Sequence, residues 1–420
     1  MKLSFGHRMR AGRVLSVLLV IVTLALLGGP GGGAGWSSSQ ETVRIGVVLS
    51  LSGDLASFGE RLVPVAQMAI DHVNEQGGIL GGKRLELILV DDETNPRIAA
   101  ARAAQLADEE GVHALFTLSS ASTIAVLEEV TAPAGIPHVT VGSAINIRDV
   151  EDHGNLFRFV TPDDVQAHVL SKLVDRLGYT RVAIVFVDDV YGRGFAEVFA
   201  KGFADAGGVV TANLPFESGA ASYRSLVESA SREGAEALVV VGYPESGAAI
   251  VNEALASGSF ERFFFSDGLQ SSAFLADVTG SIEGSWGTGP STALWPASSL
   301  IDAHYAARYG APQGFAPLFY ETYNALFVLA LAIETAGSVD GKAITEAMRR
   351  VSDVGGLQIS PGEWRKAVDA IAAGTPIRYH GTPFPLGFDA QGDLVLDSVG
   401  LWTVFEGEIR LIGEERLMFD

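Results

Sequence analysis

Cysteine is absent from the 420 residues, which excludes a disulfide framework, a thiol nucleophile, a thiolate metal site and a lipid-modified cysteine. Basic residues are scarce: 29 Lys and Arg against 50 Asp and Glu leave a net charge of −21. Such a surface repels nucleic acid and anionic lipid. An apolar run long enough to span a bilayer is also missing. Val14 to Leu27 comes nearest, but falls short of the ~20 residues that a spanning helix needs. It follows Lys2, Arg8, Arg10 and Arg13 and precedes GGPGGGAGWSSSQ, the order of a secretory leader. The expectation is a signal peptide over residues 1–34, cleaved near Ala34, and a free periplasmic protein with no lipid anchor.

Catalytic sets are missing as well. Gly77 to Arg84 reads GGILGGKR, close to a phosphate loop, but Arg84 stands where Ser or Thr would meet magnesium, and the segment runs from helix to strand. A glycine-rich turn is expected there. No serine has glycine two positions away on both sides, so the nucleophile elbow is lacking. No histidine pair falls at i, i+4, which leaves no zincin helix. The acidic pairs Asp91-Asp92, Asp163-Asp164 and Asp188-Asp189 sit at strand ends or helix starts, where capping and loop solvation account for them. The expectation is no enzyme, no catalytic residues, no metal and no cofactor.

What remains is well suited to folding. Hydrophobic residues make up 48% and charged residues 19%, enough for two sizeable cores. From Val43 apolar strands alternate with helical patterns: strands Val43 to Leu49, Leu85 to Val90, Ala114 to Leu118 and Pro137 to Val141, with helices Gly59 to Glu75, Pro96 to Glu110 and Thr123 to Ala132. A second series has strands Val182 to Val187, Val209 to Leu214, Ala237 to Val241 and Phe263 to Ser266. The fold class is α/β, with two doubly wound parallel-sheet lobes. After Gly284 the patterns are mostly helical, notably Leu300 to Tyr309, Pro317 to Ala336 and Lys342 to Val351, and then Phe388 to Asp393, Val399 to Phe405 and Ile409 to Ile412 read as strands. Helices without strands of their own must pack on an earlier sheet, so the chain is expected to return to the first lobe and end in the second. The expected division is residues 42–160 with 288–395, and 161–287 with 396–420.

The most informative stretch is LSSASTIAVLEEVTAPAGIPHVTVGSA, Leu118 to Ala144. A strand-like run empties there twice into small hydroxylated residues. Ser120 to Thr123 falls where a helix begins, and helix starts leave free N–H groups and partial positive charge that suit a carboxylate. Capping by Ser122 or Thr123 is the competing explanation.

With that stretch in place, the chain resembles the leucine/isoleucine/valine-binding protein family, amino-acid receptors of ATP-driven importers, over about residues 42 to 410. The resemblance is carried by motifs in order: VRIGVVLSLSGDLASFGE, AIDHVNEQGGILGGKRLELILVDDETNP, SSASTIA, AGIPHVTVGSA, VDDVYGRGFAEVF, VGYPES, SDG at Ser266 to Gly268, and FDAQGD. It implies a type I periplasmic binding (Venus-flytrap) fold whose lobes are joined by three crossovers and close on a ligand by hinge motion. Ser120, with Thr123 in the same motif, and the backbone at Ser143 and Ala144 would receive the ligand carboxylate. Tyr191 would close over it, and Asp267 would hold its ammonium group. Phe58 would stand at the cleft rim and Tyr243 at a second-lobe aromatic position. Ala144 stands where many members have threonine, so a hydroxyl is missing or comes from Ser143.

The function so implied is a periplasmic solute-binding receptor for a small amino-acid-like ligand. Its partners would be that ligand and the membrane permease and ATPase of an ABC importer, with no nucleic acid and a monomeric state. The alternatives are a sensory subunit for a membrane signalling partner, or a receptor for an amide or aromatic carboxylate.

Overall fold

The computed structural model describes residues 42–290, 296–310, 317–351, 355–381, 387–395 and 398–416; the leader expected over 1–34 lies outside them. Five parallel strands form the first sheet, in the order β2-β1-β3-β4-β5: β1 Val43–Leu49, β2 Leu85–Asp91, β3 Ala114–Thr117, β4 His138–Thr140 and β5 Leu156–Arg158. β1 is buried along nearly its whole length, as a continuous apolar run in a parallel sheet covered on both faces should be. Helices α1 Ala56–Glu75 and α2 Pro96–Asp108 follow β1 and β2. α3 Ser120–Val126 leaves β3 and continues through one π-helical turn, Leu127–Thr131, into α4 Ala132–Ala134.

The chain then enters α5 Asp163–Arg176 and builds a seven-stranded sheet, β14-β13-β10-β9-β8-β6-β7. Its parallel members are β6 Arg181–Val187, β7 Val209–Phe216, β8 Ala237–Val241, β9 Phe263–Phe265 and β10 Trp286–Gly289. Between them run α6 Val190–Asp205, α7 Arg224–Ser231, α8 Pro244–Ser257 and α9 Ser272–Asp277. Three more helices follow, α10 Pro296–Tyr309, α11 Phe319–Ala336 and α12 Gly341–Arg350. α11, almost wholly buried, packs on α1. The last two strands, β13 Ser398–Phe405 and β14 Glu408–Arg416, close the edge of the seven-stranded sheet antiparallel.

Two features depart from the sequence reading. Phe388 to Asp393, expected as a strand, is a turn: the Asp389 carboxylate accepts from the N–H of Gln391 and of Asp393, both at 2.9 Å, and Gly392 has φ +80°. Only isolated bridges, Arg158 with Asp393 and Phe388 with Leu394, tie the segment to strand-like neighbours. An unexpected small sheet, β11 Leu357–Ile359 with β12 Ile377–Tyr379, flanks α13 Trp364–Ala372. The expected turn at Gly77 to Arg84 is present, with Ile79 bridged to Lys83.

Candidate functional site

The first lobe brings two strand ends together. At the start of α3 the Ser120 hydroxyl oxygen accepts from the backbone N–H of both Ser143 and Ala144, each at 3.0 Å. Gly142 permits this approach, because a Cβ there would lie 2.9 Å from Thr123 Oγ1 and 3.1 Å from Ser120 Cα. Beneath the loop is a buried hydroxyl cluster. Thr123 Oγ1 lies 2.8 Å from Thr117 Oγ1 and 2.7 Å from Thr140 Oγ1, and Thr140 Oγ1 accepts from Gly142 N–H at 2.9 Å. His138 Nε2 joins it, 2.8 Å from Thr117 Oγ1, and burial pushes that imidazole down to about 3, so it is neutral. Ser122 donates to Asp92 at 2.6 Å, and α3 has no side-chain cap at all. The capping explanation for the Ser-x-x-Thr pattern therefore does not hold.

The second lobe presents the ends of β6, β8 and β9. Asp189 caps α6 by accepting from Gly192 N–H at 2.9 Å and takes a 2.6 Å bond from the Tyr243 hydroxyl. Tyr191 stacks on Tyr243, with ring centroids 5.7 Å apart. Its hydroxyl donates to Asp267 Oδ1 at 2.7 Å and lies 2.8 Å from Ser266 Oγ. Gly268 is needed here: a Cβ would stand 2.2 Å from the Gly242 carbonyl oxygen. Burial, with Asp267 next, pushes the Tyr191 phenol well above its ordinary value. Burial, with Asp189 next, does the same for Tyr243, so both remain donors.

One cavity, with about 430 Å³ of empty space partly open to solvent, is lined by Ser120, Ser143, Tyr191, Tyr243, Asp267 and Phe58. Phe58, expected at the rim, is only 5% exposed. Thr123 and Ala144 do not line the cavity. Thr123 lies below in the hydroxyl cluster, and Ala144 contributes its N–H while its methyl packs with Leu127 and Ile147. Two further walls escaped the sequence reading: Leu55, and Leu318 at the start of α11, a non-glycine residue at φ +63°.

Asp163 was also missed. Read from sequence as a capping or solvated acid, it is fully buried, and neither carboxylate oxygen has a hydrogen-bond partner among the described residues. Burial first, then repulsion from Asp267, push it well above the usual carboxylate range, with the charge of Arg158 offsetting part of this. Asp267 is raised too, chiefly by burial, which the bond from the Tyr191 hydroxyl counters first; its backbone N–H donates to Gln166 Oε1 at 3.1 Å. The site thus offers N–H and hydroxyl donors, one buried carboxylate on the cavity wall, Asp267, and an apolar wall; Asp163 is coupled to it electrostatically without lining the cavity. Among the described residues no group of three or more His, Asp and Glu is arranged to hold a metal.

A family model described as periplasmic binding protein matches residues 42–371. A leucine-, isoleucine-, valine-, threonine- and alanine-binding protein of Pseudomonas aeruginosa is 26% identical over 322 residues, covering 76% of this chain and 85% of that one. Among solved structures, the leucine-binding protein LivK of Thermotoga maritima superposes with a TM-score of 0.74 at 24% identity, covering 89% of this chain and 99% of that one. A solute-binding protein of an ABC transporter from R. palustris, in complex with benzoate, gives 0.73 at 16% identity, covering 89% and 96%. The chain belongs to the periplasmic binding protein family, among the relatives of the leucine/isoleucine/valine-binding proteins, and has their type I fold.

Proposed function

We propose that this chain is the periplasmic receptor of an ABC importer and that it shuts its two lobes on a small α-amino acid without transforming it. The observation that carries the reading is one cavity lined both by the Ser120–Ser143 donor cluster and by Asp267. A zwitterion needs donors at one end, an acceptor at the other and apolar walls between. Leu55, Phe58 and Leu318 supply such walls. The lobes are those of the sequence division, with the second crossover after Gly289, and residues 1–34 are the cleaved leader.

The test is a thermal-shift screen of the twenty amino acids beside benzoate and simple amides. At least one α-amino acid should raise the melting temperature, since a ligand that binds only the folded state stabilises it. The intact mass of the secreted protein used in it should correspond to a start near Ala34 with no lipid. Protection by benzoate and by no amino acid would instead support the second reading, a receptor for aromatic carboxylates, which the benzoate-bound structural neighbour favours.

Ser120→Ala should weaken a carboxylate ligand by roughly 1.5 to 3 kcal/mol, about ten- to a hundredfold, because a hydrogen bond to a charged group is lost. Ligand-free stability should also fall by about 1 to 3 kcal/mol, because the fully buried Ala144 N–H loses its acceptor, so the calorimetry is run below the variant's own melting transition. Titration calorimetry showing unchanged affinity would remove the anion end of the site.

A further inference from the structure

Arg158 is fully buried at the end of β5. It grips Asp393 with two bonds, Nε to Oδ1 at 2.6 Å and Nη2 to Oδ2 at 2.8 Å. Its Nη1 donates to the carbonyls of Ser143 and Ala144 at 3.1 and 2.8 Å. The residues whose N–H groups face Ser120 are therefore tied through their carbonyls and Arg158 to Asp393, in the turn over Phe388 to Asp393. A bidentate guanidinium already meets the charge of a buried carboxylate. Burial opposes ionisation of Asp393, and Arg158 and then Arg148 more than overcome it, holding its carboxyl below the usual range.

Arg148 is thus a second cation on an acid that has one. Its Nε donates to Asp393 Oδ2 at 2.5 Å, and its Nη1 reaches Asp164 at 2.8 Å. Asp164 belongs to the first turn of α5, in the second lobe, and its other oxygen has no partner among the described residues. Arg148 therefore joins carboxylates on opposite sides of the crossovers. Nearby, Val190 of α6 packs on the apolar cluster of Leu127, Ala144 and Ile147, so the lobes meet along this edge.

We infer that Arg148 is a positioning residue that holds the cleft shut by linking Asp164 to Asp393, while Arg158 anchors the shared acid to the ligand-facing loop. This rests on the reading of the chain as a receptor that closes by hinge motion. Arg148 does not line the cavity, so it acts on lobe angle and not on ligand contacts.

The lack of cysteine makes a direct test simple. Spin labels at Glu60→Cys and Glu245→Cys, exposed positions near the cavity on opposite lobes, report lobe separation by double electron–electron resonance in ligand-free protein. Arg148→Gln and Asp164→Asn should each raise the ratio of wide to narrow separations about three- to tenfold. The double variant should go no further, because both changes cut one link. Arg148→Lys should restore the narrow state only in part, since an ammonium lacks the planar fork that serves two carboxylates. Arg148 is 31% exposed on its side chain, so these variants should fold, and their melting curves check it. Unchanged distance distributions, or fully additive shifts in the double variant, would overturn the latch. No ligand enters this measurement, so its failure is separable from a failure of the amino-acid screen.

Discussion

Asp267→Ala should abolish the heat protection that an α-amino acid confers on the parent protein, while leaving the ligand-free melting temperature unchanged or slightly raised. The two effects have different causes. With ligand bound, the ammonium would lose its partner inside a closed cleft, and truncating one member of a buried charge pair costs roughly 2 to 5 kcal/mol, about thirty- to several-thousandfold in affinity. Without ligand, Asp267 is a burden. It is 6% exposed, its carboxyl is raised by burial, and it repels the buried Asp163. Removing it relieves that repulsion, and the Tyr191 hydroxyl still has Ser266 Oγ at 2.8 Å. A variant that kept the parent's ligand-induced shift would sink the ammonium role; one that lost the shift by unfolding would show it in the ligand-free melt.

The legible parts of this molecule were those where one local pattern has one structural meaning. β1, β6 and β8 are continuous apolar runs, and their burial on both faces follows directly. Ser120 was legible because a polar cluster after a buried strand must lie at the sheet's carboxyl edge, where open α/β sheets bind ligands. Thr123 shows the limit of that reasoning. It shares the motif, yet one helical turn rotates it under the loop and into the hydroxyl cluster. Asp163 was lost because Pro-Asp-Asp at a helix start is also what capping produces. Only the crossover, which folds that helix start beneath the Ser143 loop, makes it a buried acid. Leu318 was concealed in a run that reads as uninterrupted helix, although its backbone is left-handed at φ +63°. β11 and β12 have three residues each, too few for alternation to register.

The acid that the sequence concealed carries the second large expectation, a proton released when an amino acid binds. Asp163 and Asp267 are both raised by burial, and Asp163 further by repulsion from Asp267, so they titrate as a pair. Arg158 offsets part of this at Asp163, and Asp164 adds to the repulsion. For ligand-free protein, carboxyls raised on folding contribute stability that is fully present below the unfolded carboxylate range and is lost as pH rises through the folded values. An ammonium reverses the balance by favouring the ionised pair. Affinity for an α-amino acid should therefore climb with pH through the range of the raised carboxyls, approaching tenfold per unit where one proton leaves per ligand bound. Asp393 and Asp91 are held below the usual range, so they stay ionised across this window and do not contribute. A ligand without a cation, such as benzoate, should show the opposite sign, because an anion favours the protonated pair. Calorimetry in two buffers of different ionisation enthalpy counts the protons directly. Asp163→Asn should flatten the pH dependence for the amino acid and keep binding measurable. Proton uptake, or no exchange, on amino-acid binding by the parent would show that the two buried acids do not face an ammonium.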